Sequence, residues 1–338
     1  MRQLEDITTP ALIVDLKTFY SNLEIMSACR PGSTLRPHVK AFKSSAIAGI
    51  LKEAGHKSFC CATIREVEGM VKAGHKEDLL LANETLDASR LGSLVSDGAR
   101  VTVAVDSAMT VIAAAEGGIR EVLIDINVGL PRCGCDLSEV EEIVSLARRY
   151  GLTIRGVMGY EGHLMFTSDR KERTQKVSEA MEILREAHSI VGGEIISAGG
   201  TGTFDVNTYA TEIQAGSYLF MDTRYAQVGL PFKESLSVLS RIISVDKKKR
   251  WAVTNAGVKA IGMDYGKPSI EEGVVGICSD EHTTLFPVKK EESVVWNIGE
   301  TVLMKPSHVD PTIAKHPKML CVEDGQVVEE WPIDLRDW

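Results

Sequence analysis

Glu194-Ile195-Ile196-Ser197-Ala198-Gly199-Gly200-Thr201-Gly202-Thr203 joins a short apolar run to a turn of glycines and threonines. The run has the length of a buried strand. In the turn, glycines let backbone N–H groups approach an anion, and Thr201 and Thr203 add hydroxyl donors. Such a turn taken alone is as often an ordinary loop as a phosphate site, so its neighbours decide its meaning. Further strand-like runs stand at residues 34–40, 58–62, 78–82, 100–105, 121–127, 153–160 and 213–220. Between them lie helical stretches, among them 44–54, 64–73, 137–150 and 170–191, whose apolar residues recur at steps of three and four. Eight strands alternating with helices predict an α/β fold, a TIM (β/α)8 barrel, with an open doubly wound sheet as the alternative. Active sites of such barrels gather at the C-terminal strand ends, and phosphate sites form after strands seven and eight. The 194–198 run is the seventh, so its turn stands at the phosphate position. Gly216, Ser217 and Tyr218, on the eighth run, are read as completing the cradle.

Past Arg241 the texture changes to short strand-like runs at 244–246, 251–255, 273–279, 292–296, 301–304 and 319–322, separated by turn residues. This predicts a C-terminal all-β domain. The opening run 9–14 is also strand-like and is expected to cross over to it, so residues 15–240 are assigned to the barrel and 1–14 plus 241–338 to the β domain. The formal charge of −9 argues against nucleic acid as a partner, since phosphate backbones select clustered Lys and Arg, and Lys247-Lys248-Lys249-Arg250 reads as a solvated turn. No window approaches the apolar length of a membrane span, and the N-terminus lacks a secretory pattern, so a cytoplasmic protein with no membrane partner is expected. The seven cysteines show neither a disulfide framework nor a CxxC zinc pattern and read as buried thiols.

Two further motifs carry chemistry. Arg36-Pro37-His38-Val39-Lys40 closes the first strand with an amine at the barrel mouth, placed to form a Schiff base with a carbonyl cofactor, although a lysine taken alone is more often a surface group. His308-Val309-Asp310 spaces an imidazole and a carboxylate at i, i+2, which on an extended segment share one face. That donor set suits Mn²⁺, Mg²⁺, Co²⁺ or Zn²⁺, with water and substrate completing the shell. Outside its context an HxD pair is usually structural.

Ordered along the chain, Thr9–Leu12, Leu35–Lys40, Asp125–Gly129 through Arg132-Cys133-Gly134, the Gly199–Thr203 turn, Thr211–Asp222, Asn255–Lys259 and Pro306–Thr312 resemble the fold type III pyridoxal 5'-phosphate (PLP) enzymes. The likeness is to the D-threonine aldolase and D-serine dehydratase branch, related to alanine racemase. The resemblance implies a barrel joined to a β domain, a homodimer, and PLP with a divalent metal, Mn²⁺ or Mg²⁺ ahead of Zn²⁺. It makes Lys40 the Schiff-base lysine, with Lys43 as the alternative, and sets Arg132 near the cofactor ring or its phenolic oxygen. Gln214 takes the strand-eight position where alanine racemases carry an arginine facing the pyridine nitrogen. Gly200, Thr201, Gly202 and Thr203, with Gly216, Ser217 and Tyr218, hold the phosphate, and His308 and Asp310 hold the metal.

Related dehydratases tend to carry His-x-Cys and the aldolases His-x-Asp, so Asp310 tilts the resemblance toward aldol cleavage of a small D-3-hydroxy amino acid to glycine and an aldehyde. Dehydration, racemisation and a non-catalytic PLP carrier are the alternatives. The family's base is a histidine downstream of strand six. His163 offers one, although the family position falls nearer Phe166, and Tyr160 competes as a catalytic or cofactor-facing group. Asp222 and Asp264 read as caps or turn residues that could also orient neighbouring groups.

Overall fold

The computed structural model describes residues 2–289 and 292–337. It comprises two compact units, one made of Met26–Lys40, Ser45–Gly216 and Leu335–Trp338, the other of Met1–Ile25, Ala41–Ser44 and Ser217–Asp334.

In the first unit seven parallel strands lie side by side in chain order: Phe59–Cys61, Leu79–Leu81, Val101–Val105, Glu121–Asp125, Thr153–Gly159, Ile195–Ala198 and Glu212–Ile213. The 34–40 run supplies the closing member as an extended segment whose Leu35 bridges Ile213 and whose His38 bridges Cys60, both in parallel. The N–H groups of Arg36 and His38 donate to the carbonyls of Ile213 and Ala215 at 2.9 and 3.1 Å, and Cys60 N–H donates to the Pro37 carbonyl at 2.9 Å. Pro37 has no N–H to give, so this segment bonds through isolated bridges and not a continuous ladder. The ring is therefore an α/β barrel, as the alternation of runs implied, and the open sheet is not adopted. Leu80, Ala104, Leu123, Met158 and Ile195 pack together as an apolar core cluster.

Toward the N-terminal strand ends sits a buried ion network. Arg36 Nε donates to Glu212 at 2.7 Å, and Arg155 Nη1 donates to Asp78 and to the Thr102 hydroxyl at 2.7 and 2.8 Å. Pairing of this kind is what lets charges stay in a barrel interior. The long helix Arg170–Val191 begins at Asp169, whose carboxylate accepts the Glu172 N–H at 2.7 Å, and ends at Gly192, whose φ of 73° a side chain would resist. No helix among the described residues is long and apolar enough to cross a membrane.

The second unit is built on a nine-stranded sheet. Ala11–Asp15 enters it between Leu236–Val245, antiparallel, and Lys318–Glu323, parallel, so the opening run crosses over as anticipated. Several details depart from the sequence reading. The strand at 213–220 stops at Ile213, and Ser217–Leu219 forms a 3-10 turn whose Ser217 carbonyl accepts from Phe220 and Met221. Residues 292–296 are irregular, while Thr283–Phe286, Gln326–Pro332 and the first half of Leu236–Val245 are strands that the pattern did not disclose.

Candidate active site

Each barrel residue singled out from the sequence follows the C-terminal end of a strand or of the closing segment. Lys40 sits in the 3-10 turn Val39–Ala41, directly after the bridges of Leu35 and His38; Lys43, three residues on, takes a left-handed φ of 47°. The loop after Glu121–Asp125 folds back so that Cys135 N–H donates to the Asp125 carbonyl and Asn127 N–H to Cys135, both at 3.0 Å. It carries Arg132, whose guanidinium lies 5.0 Å from the centre of the Tyr160 ring. Gly129 in the same loop has φ 113°, and a Cβ there would stand 3.3 Å from the His163 ring. One loop thus touches both Tyr160 and His163, the latter exposed in the 3-10 turn Gly162–Leu164. At the base of that loop, burial and then the neighbouring Glu84 carboxyl hold Asp125 well above the usual carboxylate range, with Arg132 pulling the other way.

The Gly199–Thr203 turn is held from behind by a residue to which the sequence gave no role. Glu161, fully buried, accepts the Gly199 N–H at 3.0 Å, the Thr203 hydroxyl at 2.9 Å and the Asn207 side-chain amide at 3.0 Å. The glycines pack rather than float. A Cβ on Gly202 would strike the Met165 carbonyl, and one on Gly200 would stand 2.8 Å from Met165 Sδ. Thr203, read as a phosphate donor, spends its hydroxyl on Glu161 and receives the Gly200 N–H at 3.3 Å. Gly202 is buried, yet its N–H has no acceptor among the described residues, the state of a donor awaiting an anion. The cradle therefore fits a phosphate. Thr201 is buried within it, and Gly216 ends the barrel unit where Ser217 and Tyr218 begin the other.

Gln214, the residue after Ile213, has its amide orientation set by its neighbours. Ser197 donates to Glu212 at 2.6 Å because Glu212, a carboxylate paired with Arg36, only accepts. Ser197 Oγ must then accept a hydrogen bond from Gln214 Nε2 at 2.9 Å. Burial pushes the Cys60 thiol up, so it stays protonated and donates to Gln214 Oε1 at 3.1 Å.

In the second unit His308 is extended (φ −150°, ψ 117°) and caps the short helix Val309–Ala314, of which Asp310 is a member. The pair therefore straddles a helix start and does not share one face of an extended segment. His308 Nδ1 lies 2.6 Å from Asp264 Oδ2, a carboxylate acceptor, so Nδ1 is the donor of this bond and Nε2 is the ring nitrogen that could serve a cation. The Tyr265 ring stacks on the imidazole at 4.3 Å, and Ser217 donates to Asp310 Oδ1 at 3.3 Å. Asp222 leads into the 3-10 turn Tyr225–Val228 by accepting the Arg224 and Tyr225 N–H groups, and its other oxygen accepts the Val309 N–H at 3.1 Å. Burial raises Asp222 to about 6. Asp264 and Asp222 thus both support the pair, which a turn-forming aspartate next to an apolar run signals only weakly. Among the described residues no three His, Cys, Asp or Glu side chains converge as a metal cage, so His308 and Asp310 offer two positions of a shell that water and substrate would fill.

Residues 14–224 match the family of the alanine racemase N-terminal domain, and 235–322 match a putative serine dehydratase domain. A D-threonine aldolase of Arthrobacter sp. is 31% identical over 98% of this chain and 94% of its own length. A 3-hydroxy-D-aspartate aldolase of Paracoccus denitrificans (strain Pd 1222) is 30% identical over 98% and 92%. The crystal structure of D-threonine aldolase from Filomicrobium marinum superposes with a TM-score of 0.90 at 30% identity, covering 99% of this chain and 98% of that one. The chain belongs to the alanine racemase N-terminal domain family, carries the serine dehydratase domain behind it, and is a PLP-dependent lyase.

Proposed function

We propose that this protein is a PLP- and divalent-metal-dependent aldolase that cleaves D-3-hydroxy amino acids of the D-threonine or 3-hydroxyaspartate type to glycine and an aldehyde. The observation that carries the reading is the His308–Asp310 pair, an imidazole nitrogen and a hard carboxylate oxygen two residues apart at a helix start, with Asp264 holding the imidazole. PLP supplies an electron sink for negative charge at the substrate Cα, and the cation, Mn²⁺ or Mg²⁺ by its donor set, lowers the pKa of the β-hydroxyl. Lys40 holds the cofactor through its amine. The Gly200–Thr203 turn would hold the phosphate through its Gly202 N–H, with Gly216, Ser217 and Tyr218 assigned to the same group, and Arg132, stacked on Tyr160, would serve the phenolic oxygen. Gln214 would present a neutral amide to the ring nitrogen, giving no charge to a pyridinium, so the ring would be a weaker sink. His308 and Asp310 would hold the cation at the hydroxyl end of the substrate. His163 takes the hydroxyl proton as the Cα–Cβ bond breaks, and Tyr160 is the alternative at that step.

The relatives' aldolase activities and the Asp310 carboxylate favour this over dehydration, in which Cα–H is removed and the β-hydroxyl leaves. A homodimer in the cytoplasm completes the reading; Ile277, Val295 and Ile298 of the β unit stand exposed and offer apolar surface to a second copy. The deciding experiment incubates the protein, loaded with PLP and Mn²⁺, with D-threonine, D-serine and both D-3-hydroxyaspartates. Glycine and aldehyde are assayed separately from ammonia and 2-oxo acid. Glycine plus aldehyde is the expected outcome; ammonia plus 2-oxo acid as the main products would replace the aldolase reading with the dehydratase.

A further inference from the structure

We infer that Glu161 is the positioning residue of the phosphate cradle: its buried carboxylate gathers Gly199, Thr203 and Asn207 so that the turn keeps the Gly202 N–H for the anion. The inference rests on the PLP reading above and deepens it.

The donor accounting is closed on one side. Oε2 of Glu161 takes the Gly199 N–H, and Oε1 takes both the Thr203 hydroxyl and the Asn207 amide. Asn207, fully buried, cannot present its oxygen instead, because Oδ1 already accepts the Ala210 N–H at 3.1 Å. Within the turn, Thr203 N–H goes to the Gly200 carbonyl at 3.2 Å and Gly200 N–H to the Thr203 hydroxyl. Gly199, Gly200 and Thr203 have thus committed their N–H groups, and Gly202 has not.

A carboxylate is the side chain this arrangement requires. Three donors converge on two oxygens, and only a group with acceptors and no protons takes all three. A glutamine in its place would offer one oxygen and bring an NH₂ against a donor. Glu161 also ties the cradle to the proton-transfer groups, because Tyr160 and His163 flank it in sequence and Met165 packs on Gly200 and Gly202. An anion seated on the turn and a proton moved at His163 then depend on one short segment.

The test titrates cofactor-free wild type, Glu161→Gln and Thr203→Val with PLP, and separately measures how inorganic phosphate competes with PLP. Melting temperatures are recorded alongside. Leaving a buried donor unsatisfied predicts PLP and phosphate affinities that both fall at least about tenfold in Glu161→Gln, with a smaller parallel fall in Thr203→Val. The visible absorption of the saturated variants should be unchanged, since Lys40 is intact. Wild-type affinities in both variants would overturn the inference. So would weaker PLP binding with phosphate competition unaltered, because the effect would then lie off the cradle. If Glu161→Gln does not fold, Thr203→Val decides by the same two affinities. A wild type that binds inorganic phosphate, titrated directly by calorimetry, but takes up no PLP would sink the cofactor reading and leave the role of Glu161 to be decided by the phosphate affinity of the two variants.

Discussion

The phosphate turn of the barrel unit and the His308–Asp310 pair of the β unit are built on opposite terms. Behind the turn every support is buried: Glu161 and Thr203 have no exposed surface, and Thr201 shows 2%. The pair rests on mixed support: Asp222, fully buried, accepts the Val309 N–H, but the His308 side chain is 21% exposed and its partner Asp264 51%. Among the contacts of Asp310 is a hydroxyl bond from Ser217 at 3.3 Å, long for a charge-assisted contact. A site whose donors are already ordered loses little freedom on binding, whereas an exposed pair with two ligands must recruit water and substrate to complete a shell. The cofactor should accordingly bind tightly and persist through purification, while the cation should exchange.

Removing the covalent anchor breaks that comparison at its strong end and gives the largest effect. Lys40→Ala should lose the visible absorption of bound PLP and lower turnover by on the order of 10³-fold or more, as expected when a covalent catalytic group is deleted. Retention of the band would move the anchor to another amine, with Lys43 next in line. At the weak end, His308→Ala or Asp310→Ala should keep the PLP absorption and lose turnover by roughly 10²-fold or more, the scale of removing an electrostatic stabiliser. Chelation of the wild type should mimic them and added Mn²⁺ should restore activity. Unchanged turnover after metal stripping would take the cation out of the reaction.

Asp264→Asn sharpens the comparison further. An amide at this position no longer enforces the proton on Nδ1, so cation affinity should fall about 10- to 100-fold, the range for outer partners of ligating histidines, while PLP affinity stays put. Calorimetric titration of Mn²⁺ checks it. A fall in PLP affinity of the same size would mean that the two sets of groups are not separately supported.

What was legible in the sequence divides along the same line. The barrel strands announce themselves because each is a short apolar run buried on both faces, and the Gly199–Thr203 turn is visible because its glycines are demanded by the close approach of Met165. Lys40, Gln214 and the His308–Asp310 pair stand out by position and type. Glu161 is hidden, since nothing in Tyr160-Glu161-Gly162-His163 says that its partners lie 38, 42 and 46 residues further on. Only its place at a strand end, a carboxylate following an apolar run, hints at a role. The 213–220 run reads as strand from its aromatics and aliphatics, yet it turns after Gly216, where the Ser217 carbonyl takes the Phe220 and Met221 N–H groups. The β unit is the harder half because its strands alternate apolar and polar residues weakly and depend on pairing partners far along the chain.

The smallest expected effect lies at the other end of the barrel, where charge serves stability and touches none of the candidate catalytic groups. Burial alone would raise Asp78, but the Arg155 hydrogen bonds and the Arg36 charge together outweigh it and bring the carboxyl down to about 2. A group depressed in the fold stabilises it above its unfolded pKa near 4, and loses that contribution as pH falls toward 2. Asp78→Asn should therefore cost about 2 kcal/mol of unfolding free energy at pH 7, from a shift of nearly two units, while kcat and PLP affinity of the folded protein are kept. Urea denaturation at pH 7 and again near pH 3 measures it: the gap between wild type and variant should narrow to roughly half as the unfolded-state carboxyl protonates. An equal gap at both pH values would mean that the loss comes from packing and unpaired guanidinium groups. Charge in the barrel floor would then be incidental to its stability, and only the opposite end of the barrel would use buried carboxylates by design.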